Sequence, residues 1–158
     1  MVIDTLEQFS LTLPVLEAVM GLDLGQKTIG VAVSDKERII ATGLRTLRRT
    51  KFQHDFLLLK EIISDRQIKG IVLGLPLNMN GSEGPRCQSV RAFARNLTAR
   101  IEIPIVFWDE RLSSVEAERT LIEGNLSRRK RAEVIDFVAA SYILQGALDR
   151  MIVLKSKV

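Results

Sequence analysis

The fold is indicated most clearly by one stretch, Met20-Gly-Leu-Asp-Leu-Gly-Gln-Lys-Thr-Ile-Gly-Val-Ala-Val33. A short apolar run ends at Leu24, a turn with one glycine follows, and a second β-rich run covers 28–33. Two such runs joined by a short turn predict a β-hairpin. Asp23 lies inside the first run, where β-propensity disfavours an acid and burying an unpaired charge is costly. This local contradiction indicates a functional site, although a solvated Asp23 paired with Lys27 is an equally open alternative.

Strands and helices alternate along the rest of the chain. The apolar patterns predict a third strand over 39–47, helices over 52–68 and 86–101, strands over 71–75 and 104–108, and helices over 114–123 and 132–150. Three strands with short links form an antiparallel meander, whereas strands that alternate with helices pair in parallel. The sequence therefore predicts an α/β domain with a mixed five-stranded sheet flanked by helices.

Length and composition restrict the class of protein. The chain has 158 residues, of which 46% are hydrophobic and 27% charged, so we expect one globular domain. We expect this domain over 19–150, preceded by an extension over 1–18 and followed by a tail over 151–158. The apolar runs are short and no secretory leader is visible, so no membrane association is expected.

Cysteine and histidine usage limits the chemistry. Cys87 is the single cysteine and His54 the single histidine, so an internal disulfide, a thiolate cluster and a histidine metal site are excluded. A lone cysteine is typical of a reducing compartment, and we expect a cytoplasmic protein. We expect His54 on the solvated side of a helix.

Positive charge is concentrated in two segments. The net charge is +4, and the first cluster contains Arg45, Arg48, Arg49 and Lys51. The second cluster contains Arg128, Arg129, Lys130 and Arg131. Either cluster alone is typical of a solvated face, but two in a small domain favour contacts with the phosphates of a polyanion.

Acidic residues occur at three informative places. Asp23 lies in the first strand, Asp109 and Glu110 end the last strand, and Asp136 lies in the final helix. Clustered carboxylates without His or Cys suit Mg²⁺ or Mn²⁺, and such ions serve phosphoryl chemistry. Neighbours on a strand point to opposite faces, so only one of Asp109 and Glu110 can meet Asp23, and periodicity leaves that choice open.

Four segments carry a resemblance to a known family. They are 21–33, 74–83 (Gly-Leu-Pro-Leu-Asn-Met-Asn-Gly-Ser-Glu), 109–114 (Asp-Glu-Arg-Leu-Ser-Ser), and 128–145, which joins Arg-Arg-Lys-Arg to Ile-Asp-Phe-Val-Ala-Ala-Ser-Tyr-Ile-Leu-Gln. In this order the chain resembles the YqgF-like family of Holliday-junction-resolvase-type nucleases, regarded as pre-16S rRNA nucleases. The first segment alone is weak because actin-like kinases open similarly, whereas the four together are highly specific.

The resemblance implies a ribonuclease-H-like fold and metal-dependent hydrolysis of phosphodiester bonds. It also implies trimming of the 5′ end of the 16S rRNA precursor. By position, Asp23, Glu110 and Asp136 are the catalytic acids and the ligands of Mg²⁺ or Mn²⁺. The expected substrate-binding residues are Lys27, Asn78, Arg111, Arg128, Arg129, Lys130 and Arg131.

Other functions stay open. A DNA junction resolvase would act as a dimer, but resolvases of this fold carry an acid where this chain has Leu75-Pro76-Leu77-Asn78. An actin-like phosphotransferase needs two such domains, and this length supplies one. A nucleic-acid-binding module without catalysis is the non-enzyme alternative. The expected partner is ribosomal RNA precursor or a DNA junction, bound by a monomer or homodimer.

Overall fold

The structure is a computed structural model that describes residues 1–113, 124 and 128–156. The strands are β1 (Val2–Ile3), β2 (Ala18–Leu24), β3 (Thr28–Ser34), β4 (Ala41–Arg48), β5 (Ile68–Leu75) and β6 (Ile105–Asp109). The helices are α1 (Leu6–Thr12), α2 (Phe52–Asp65), α3 (Pro85–Thr98) and α4 (Arg128–Ser156), with a 3₁₀ turn over Glu110–Leu112. The predicted helix over 114–123 lies outside the described residues.

The strands form one mixed sheet in the order β1-β6-β5-β2-β3-β4. The hairpin β2–β3 and the pair β3–β4 are antiparallel, whereas β2–β5, β5–β6 and β1–β6 are parallel. This topology confirms the predicted meander followed by parallel strands. The predicted count of five strands is one short, because β1 has only two residues and shows no periodicity.

The N-terminal extension is part of the packed structure. Strand β1 pairs with β6 through Val2 and Ile105, and α1 buries Phe9 completely. Phe9 and Leu13 lie against Gly70 of β5, where any side chain would collide with them. At the other terminus α4 continues to Ser156 and buries Met151, so residues of the expected tail also pack. The domain boundaries themselves stay a prediction.

Two hydrophobic cores cover the two faces of the sheet. Helices α2 and α3 pack on one face, against Met20, Leu22 and Leu24 of β2. Helices α1 and α4 pack on the other face, and Val19 of β2 lies in the core that they cover. Successive residues of a strand point to opposite faces. Asp23, which has the parity of Val19, therefore faces α4.

Helix α4 packs directly on glycines of the sheet. A Cβ built at Gly21 would lie 2.7 Å from the Leu144 Cβ, and one built at Gly30 would overlap the Asp136 carbonyl group. The helix presents small residues here, including the buried Ala139 and Ala140. Because the side chains are small on both surfaces, the backbones of α4 and of the sheet approach each other closely.

One segment of α4, Val134–Ser156, is long and apolar enough to cross a bilayer by length and composition alone. The sequence analysis expects only short apolar runs, and this helix exceeds that expectation. The buried residues of this helix in the second core include Ile143, Leu144, Ala147 and Leu148. This composition is typical of a core helix, and the absence of a membrane stays a prediction.

Replacing Gly30 with Ala tests the packing of α4. The new methyl group would collide with the Asp136 backbone, so we expect a loss of about 1–3 kcal/mol in the free energy of unfolding. Urea denaturation measures this change. Gly124→Ala is the matched control, because a Cβ there meets no described atom within 4 Å. Equal stability of the Gly30→Ala variant and the wild type would contradict the close approach.

Candidate active site

Asp23 is a buried carboxylate on β2. Its exposed fraction is 3%, and its partner across the hairpin is Gly30 of β3. Because Gly30 packs against the Asp136 backbone, Asp23 faces the N-terminal part of α4. The alternative of an Asp23 on the solvated face is wrong, because its side chain is buried.

Glu110 lies on the same face of the sheet as Asp23. A Cβ built at Gly74 of β5 would be 3.3 Å from the Glu110 Oε2 atom, so the carboxylate lies over that glycine. Gly74 follows Leu73, which pairs with Leu22 of β2, and it is therefore beside Asp23 in register. The structure thus brings the Glu110 carboxylate to the strand next to Asp23.

The two cores resolve the choice between Asp109 and Glu110 geometrically. Val106 and Trp108 of β6 belong to the core under α4, whereas Phe107 packs on the core under α2 and α3. Asp109 has the parity of Phe107 and points away from the face of Asp23. Periodicity could not decide this because it does not reveal which helices cover which face.

Asp109 instead forms an ion pair with Arg111. The guanidinium donates from Nη2 to Asp109 Oδ2 at 2.7 Å and from Nε to both carboxylate oxygens at 3.1 Å. These hydrogen bonds from Arg111 lower the pKa of Asp109 below its ordinary value of 3.8. Arg111 also donates to the Met79 carbonyl at 3.1 Å. The expected phosphate contact Arg111 therefore ties the end of β6 to the loop after β5.

Asp136 is oriented by a hydroxyl group from the first motif. Thr28 Oγ1 at the start of β3 donates to Asp136 Oδ2 at 2.6 Å. The Thr28 carbonyl in turn accepts from the Gly25 N–H at 2.9 Å, which closes the hairpin turn. Sequence reasoning missed Thr28, although it stands within the quoted motif, because its partner is 108 residues away.

The loop over 76–84 forms one wall of a cleft of about 660 Å³ at this end of the sheet. Asn78 donates from Nδ2 to Ser82 Oγ at 3.0 Å, and its backbone N–H donates to the Ser82 carbonyl at 2.9 Å. The loop is thus internally hydrogen-bonded. Arg86, Glu110 and Arg111 also line the cleft.

Two sets of predicted substrate-binding residues remain, Lys27 at the same end of the sheet and the basic cluster over 128–131. Lys27 lies in the exposed turn after β2. Residues 128–131 form the start of α4, and their side chains lie outside the described part of the chain. His54, in contrast, lies on the exposed side of α2, as expected.

The predicted acids share one face but are not gathered into a closed cluster. In the described part of the chain, no three His, Cys, Asp or Glu side chains form a group that could hold a metal ion. The donor set is nevertheless consistent with a hard cation, because Asp23, Glu110 and Asp136 offer only carboxylate oxygens. They come from β2, the turn after β6 and α4, which are packed around Gly30 and Gly74.

Two solved structures share this architecture. Thermus thermophilus RuvC, solved in complex with Holliday junction substrate, matches with a TM-score of 0.55, covering 86% of this chain and 96% of that chain. The yeast mitochondrial Holliday junction resolvase Ydc2 matches with a TM-score of 0.56, covering 96% and 86% respectively. Both are 13% identical to this chain. The likeness defines the class as the RuvC-type ribonuclease-H-like fold.

Sequence comparisons then give the family. Residues 17–150 match the family model described as "RuvX: Holliday junction resolvase". Relatives named "Putative pre-16S rRNA nuclease" from Ruegeria sp. (strain TM1040) and Ruegeria pomeroyi are 64% and 61% identical over 151 residues. These matches cover 96% of this chain and 96% and 98% of the relatives. The chain belongs to the RuvX family of nucleases, which confirms the resemblance.

Replacing Arg111 with Gln tests the ion pair at the end of β6. Without the guanidinium, the pKa of Asp109 should rise towards its ordinary value, as a carbon-detected NMR titration of the carboxyl group would show. Because Arg111 lowers the pKa of Asp109 in the folded chain, the ion pair stabilises the fold at pH values above the ordinary pKa of 3.8. This stabilisation is lost as the pH falls through the lowered pKa of Asp109 in the folded chain.

The matched control is Arg91→Gln. Arg91 pairs with Glu83 at 2.6 Å, so its removal should raise the pKa of Glu83 and leave that of Asp109 unchanged. An Asp109 pKa that does not respond to Arg111→Gln would contradict the described pairing.

Proposed function

We propose that this chain is a divalent-metal-dependent endonuclease that trims the 5′ end of precursor 16S rRNA in the cytoplasm. One observation carries the proposal: Asp23, Glu110 and Asp136 reach the same face of the sheet from three different elements. The names of the two relatives, which are 64% and 61% identical, support the ribosomal substrate. The single buried cysteine, Cys87, is consistent with a reducing compartment.

The three acids would hold Mg²⁺ or Mn²⁺ through carboxylate oxygens. A bound ion of this kind supplies an activated water and compensates the charge that develops on the phosphate oxygens. The chain's own contribution is positioning. The hairpin fixes Asp23, Gly74 leaves room for Glu110, and the Thr28 hydroxyl orients Asp136.

The cleft beside these acids suits a nucleic-acid backbone. Its walls contain Asn78 and Arg86, and Lys27 lies in the exposed turn at the same end of the sheet. The cluster over 128–131 begins α4, the helix that carries Asp136. Positive charge at this end would attract the substrate and hold its phosphates.

Cleavage of a DNA junction is the second candidate. The matched family model is described as a Holliday junction resolvase, and RuvC was solved with a Holliday junction substrate. Against this candidate, β5 ends in the apolar Leu75, so Glu110 in the turn after β6 must supply the acid that junction resolvases place at this strand. A cleavage assay with both substrates distinguishes the RNA nuclease from the DNA junction nuclease.

Asp23→Asn tests the catalytic assignment. We expect cleavage of a labelled 16S rRNA precursor fragment to fall by about a hundredfold or more, because a metal ligand supports several kcal/mol of charge stabilisation. RNA affinity should stay the same or rise, since one negative charge near phosphate is lost. Gel assays with Mg²⁺, Mn²⁺ or EDTA measure both quantities, with a four-way DNA junction as the second substrate.

Asp149→Asn is the matched control, because Asp149 is an exposed acid farther along α4 and accepts a hydrogen bond from Gln145. Its activity should equal that of the wild type. Metal-dependent cutting confined to the junction would replace the RNA assignment by the DNA one. Unchanged cutting by Asp23→Asn, or binding without cutting in every metal, would contradict the proposed mechanism.

Thr28→Val tests the orientation of Asp136. A hydrogen bond to a charged group is worth about 1.5–3 kcal/mol, so kcat should fall roughly tenfold to a hundredfold with little change in KM. Thr28→Ser keeps the hydroxyl and should restore most of the rate. Thr98→Val is the control, since that hydroxyl donates only to the Arg95 carbonyl of its own helix. Equal rates for Thr28→Val and the wild type would refute the positioning role.

A further inference from the structure

A second, smaller cleft lies between the β2–β3 turn and the start of α3. Its volume is about 110 Å³, and its lining includes Gly25, Gln26, Arg49 and Arg86. This is well below the roughly 300 Å³ of the smallest ligand pockets, so it suits a single compact group. Leu24 also lines it and belongs to the core under α2 and α3, so this cleft is on the opposite side of the sheet from Asp23.

Arg49 is held rigidly at this cleft. Its Nη1 donates to the Gly25 carbonyl at 2.6 Å, and its backbone N–H donates to the Lys27 carbonyl at 2.8 Å. The guanidinium carbon also lies 5.8 Å from the centre of the Phe93 ring. An arginine fixed in this way loses little conformational entropy when it binds a ligand.

The segment that follows Arg49 is anchored as well. The Thr50 N–H and hydroxyl donate to Asp55 Oδ1 at 3.0 and 3.1 Å, and the Asp55 carboxylate is buried. The Asp55 carboxylate therefore accepts its hydrogen bonds from the segment between β4 and α2. It is not a counter-ion for Arg49.

Among the residues that the structure describes, no carboxylate pairs with the positive charge at this cleft. Within 1–113 and 134–156, the arginines in ion pairs are Arg91 and Arg111, and neither Arg49 nor Arg86 has a carboxylate within 4 Å. The first turn of α3, which contains Arg86, carries no acid. Two arginines that face one small cleft without an acid indicate an anionic ligand.

We propose that Arg49 and Arg86 bind a phosphate of the nucleic-acid backbone other than the one that is cut. This inference rests on the proposed function, since it takes the substrate to be a nucleic acid. Pro85 and Arg86 line both clefts, so the two are continuous around the start of α3. A strand with its scissile phosphate near Glu110 would pass Arg86 and place a flanking phosphate at Arg49.

Salt-dependent RNA binding tests this site. We would measure the anisotropy of a labelled single-stranded RNA in EDTA with wild type, Arg49→Gln, Arg86→Gln and the double variant. Each single change should weaken binding about fivefold to tenfold. The slope of log K against log[salt] should flatten by about 0.7, the value for one phosphate contact on a single strand.

Arg66→Gln is the matched control, because Arg66 is exposed and precedes the amino end of β5, at the far end of the sheet. It removes the same charge and should leave the salt slope unchanged. Equal losses in Arg66→Gln and the cleft variants would overturn the site, because they would show only an effect of net charge.

A phosphate-neutralisation scan adds a positional test. RNAs with one uncharged methylphosphonate at successive positions should reveal a flanking position where wild-type affinity falls. The double variant should be insensitive at that same position. Full sensitivity of the double variant there, or the absence of any such flanking position, would overturn the proposal.

Two features keep the result interpretable. The Arg86 side chain is exposed and makes no hydrogen bond within the described residues, so Arg86→Gln carries the test even if Arg49→Gln disturbs the turn. The outcomes also separate the two proposals. Unchanged RNA binding by the cleft variants overturns only this site, whereas unchanged cutting by Asp23→Asn overturns only the catalytic assignment. Wild-type protein that binds no RNA overturns both.

Discussion

The close approach of α4 to the glycine positions of the sheet is the contact on which the proposed site depends. Gly30 has no side chain, and the Asp136 backbone occupies the space that one would fill. Since Gly30 is the cross-strand partner of Asp23, this contact brings the backbone of Asp136 to the strand beside Asp23. The packing of α4 on the sheet therefore brings together the two elements that carry Asp23 and Asp136.

Glu110, the third proposed ligand, also lies over a glycine of the sheet. Gly74 leaves space over β5, and the Glu110 carboxylate occupies it beside Ile143 of α4. The ion pair with Arg111 holds Asp109 on the other face of the sheet. Arg111 also donates to the Met79 carbonyl and so fixes the loop after β5. The two adjacent acids thus lie on opposite faces of the sheet, because successive residues of β6 alternate between the two cores.

Much of the fold could be predicted from local sequence. The hairpin around Asp23, the helical periodicity after Phe52 and the buried run at Val72 are signals that a short window contains. Strand β1 could not be found in this way, because two residues have no period and pair with β6 a hundred residues later. The site was only partly predictable for the same reason. Asp23 contradicts its strand and so is visible in the sequence, whereas the Thr28 hydroxyl becomes informative only when α4 brings Asp136 to it.

Titration with Mn²⁺ would show directly whether the carboxylates under α4 bind a metal ion. Calorimetry and electron paramagnetic resonance would follow Mn²⁺ titrated into the wild type and into Asp23→Asn, Glu110→Gln, Asp136→Asn and Asp109→Asn. If the face under α4 forms the metal site, the first three changes weaken binding and Asp109→Asn leaves it unchanged. Binding that is insensitive to Asp23, or that depends equally on Asp109, would contradict the account.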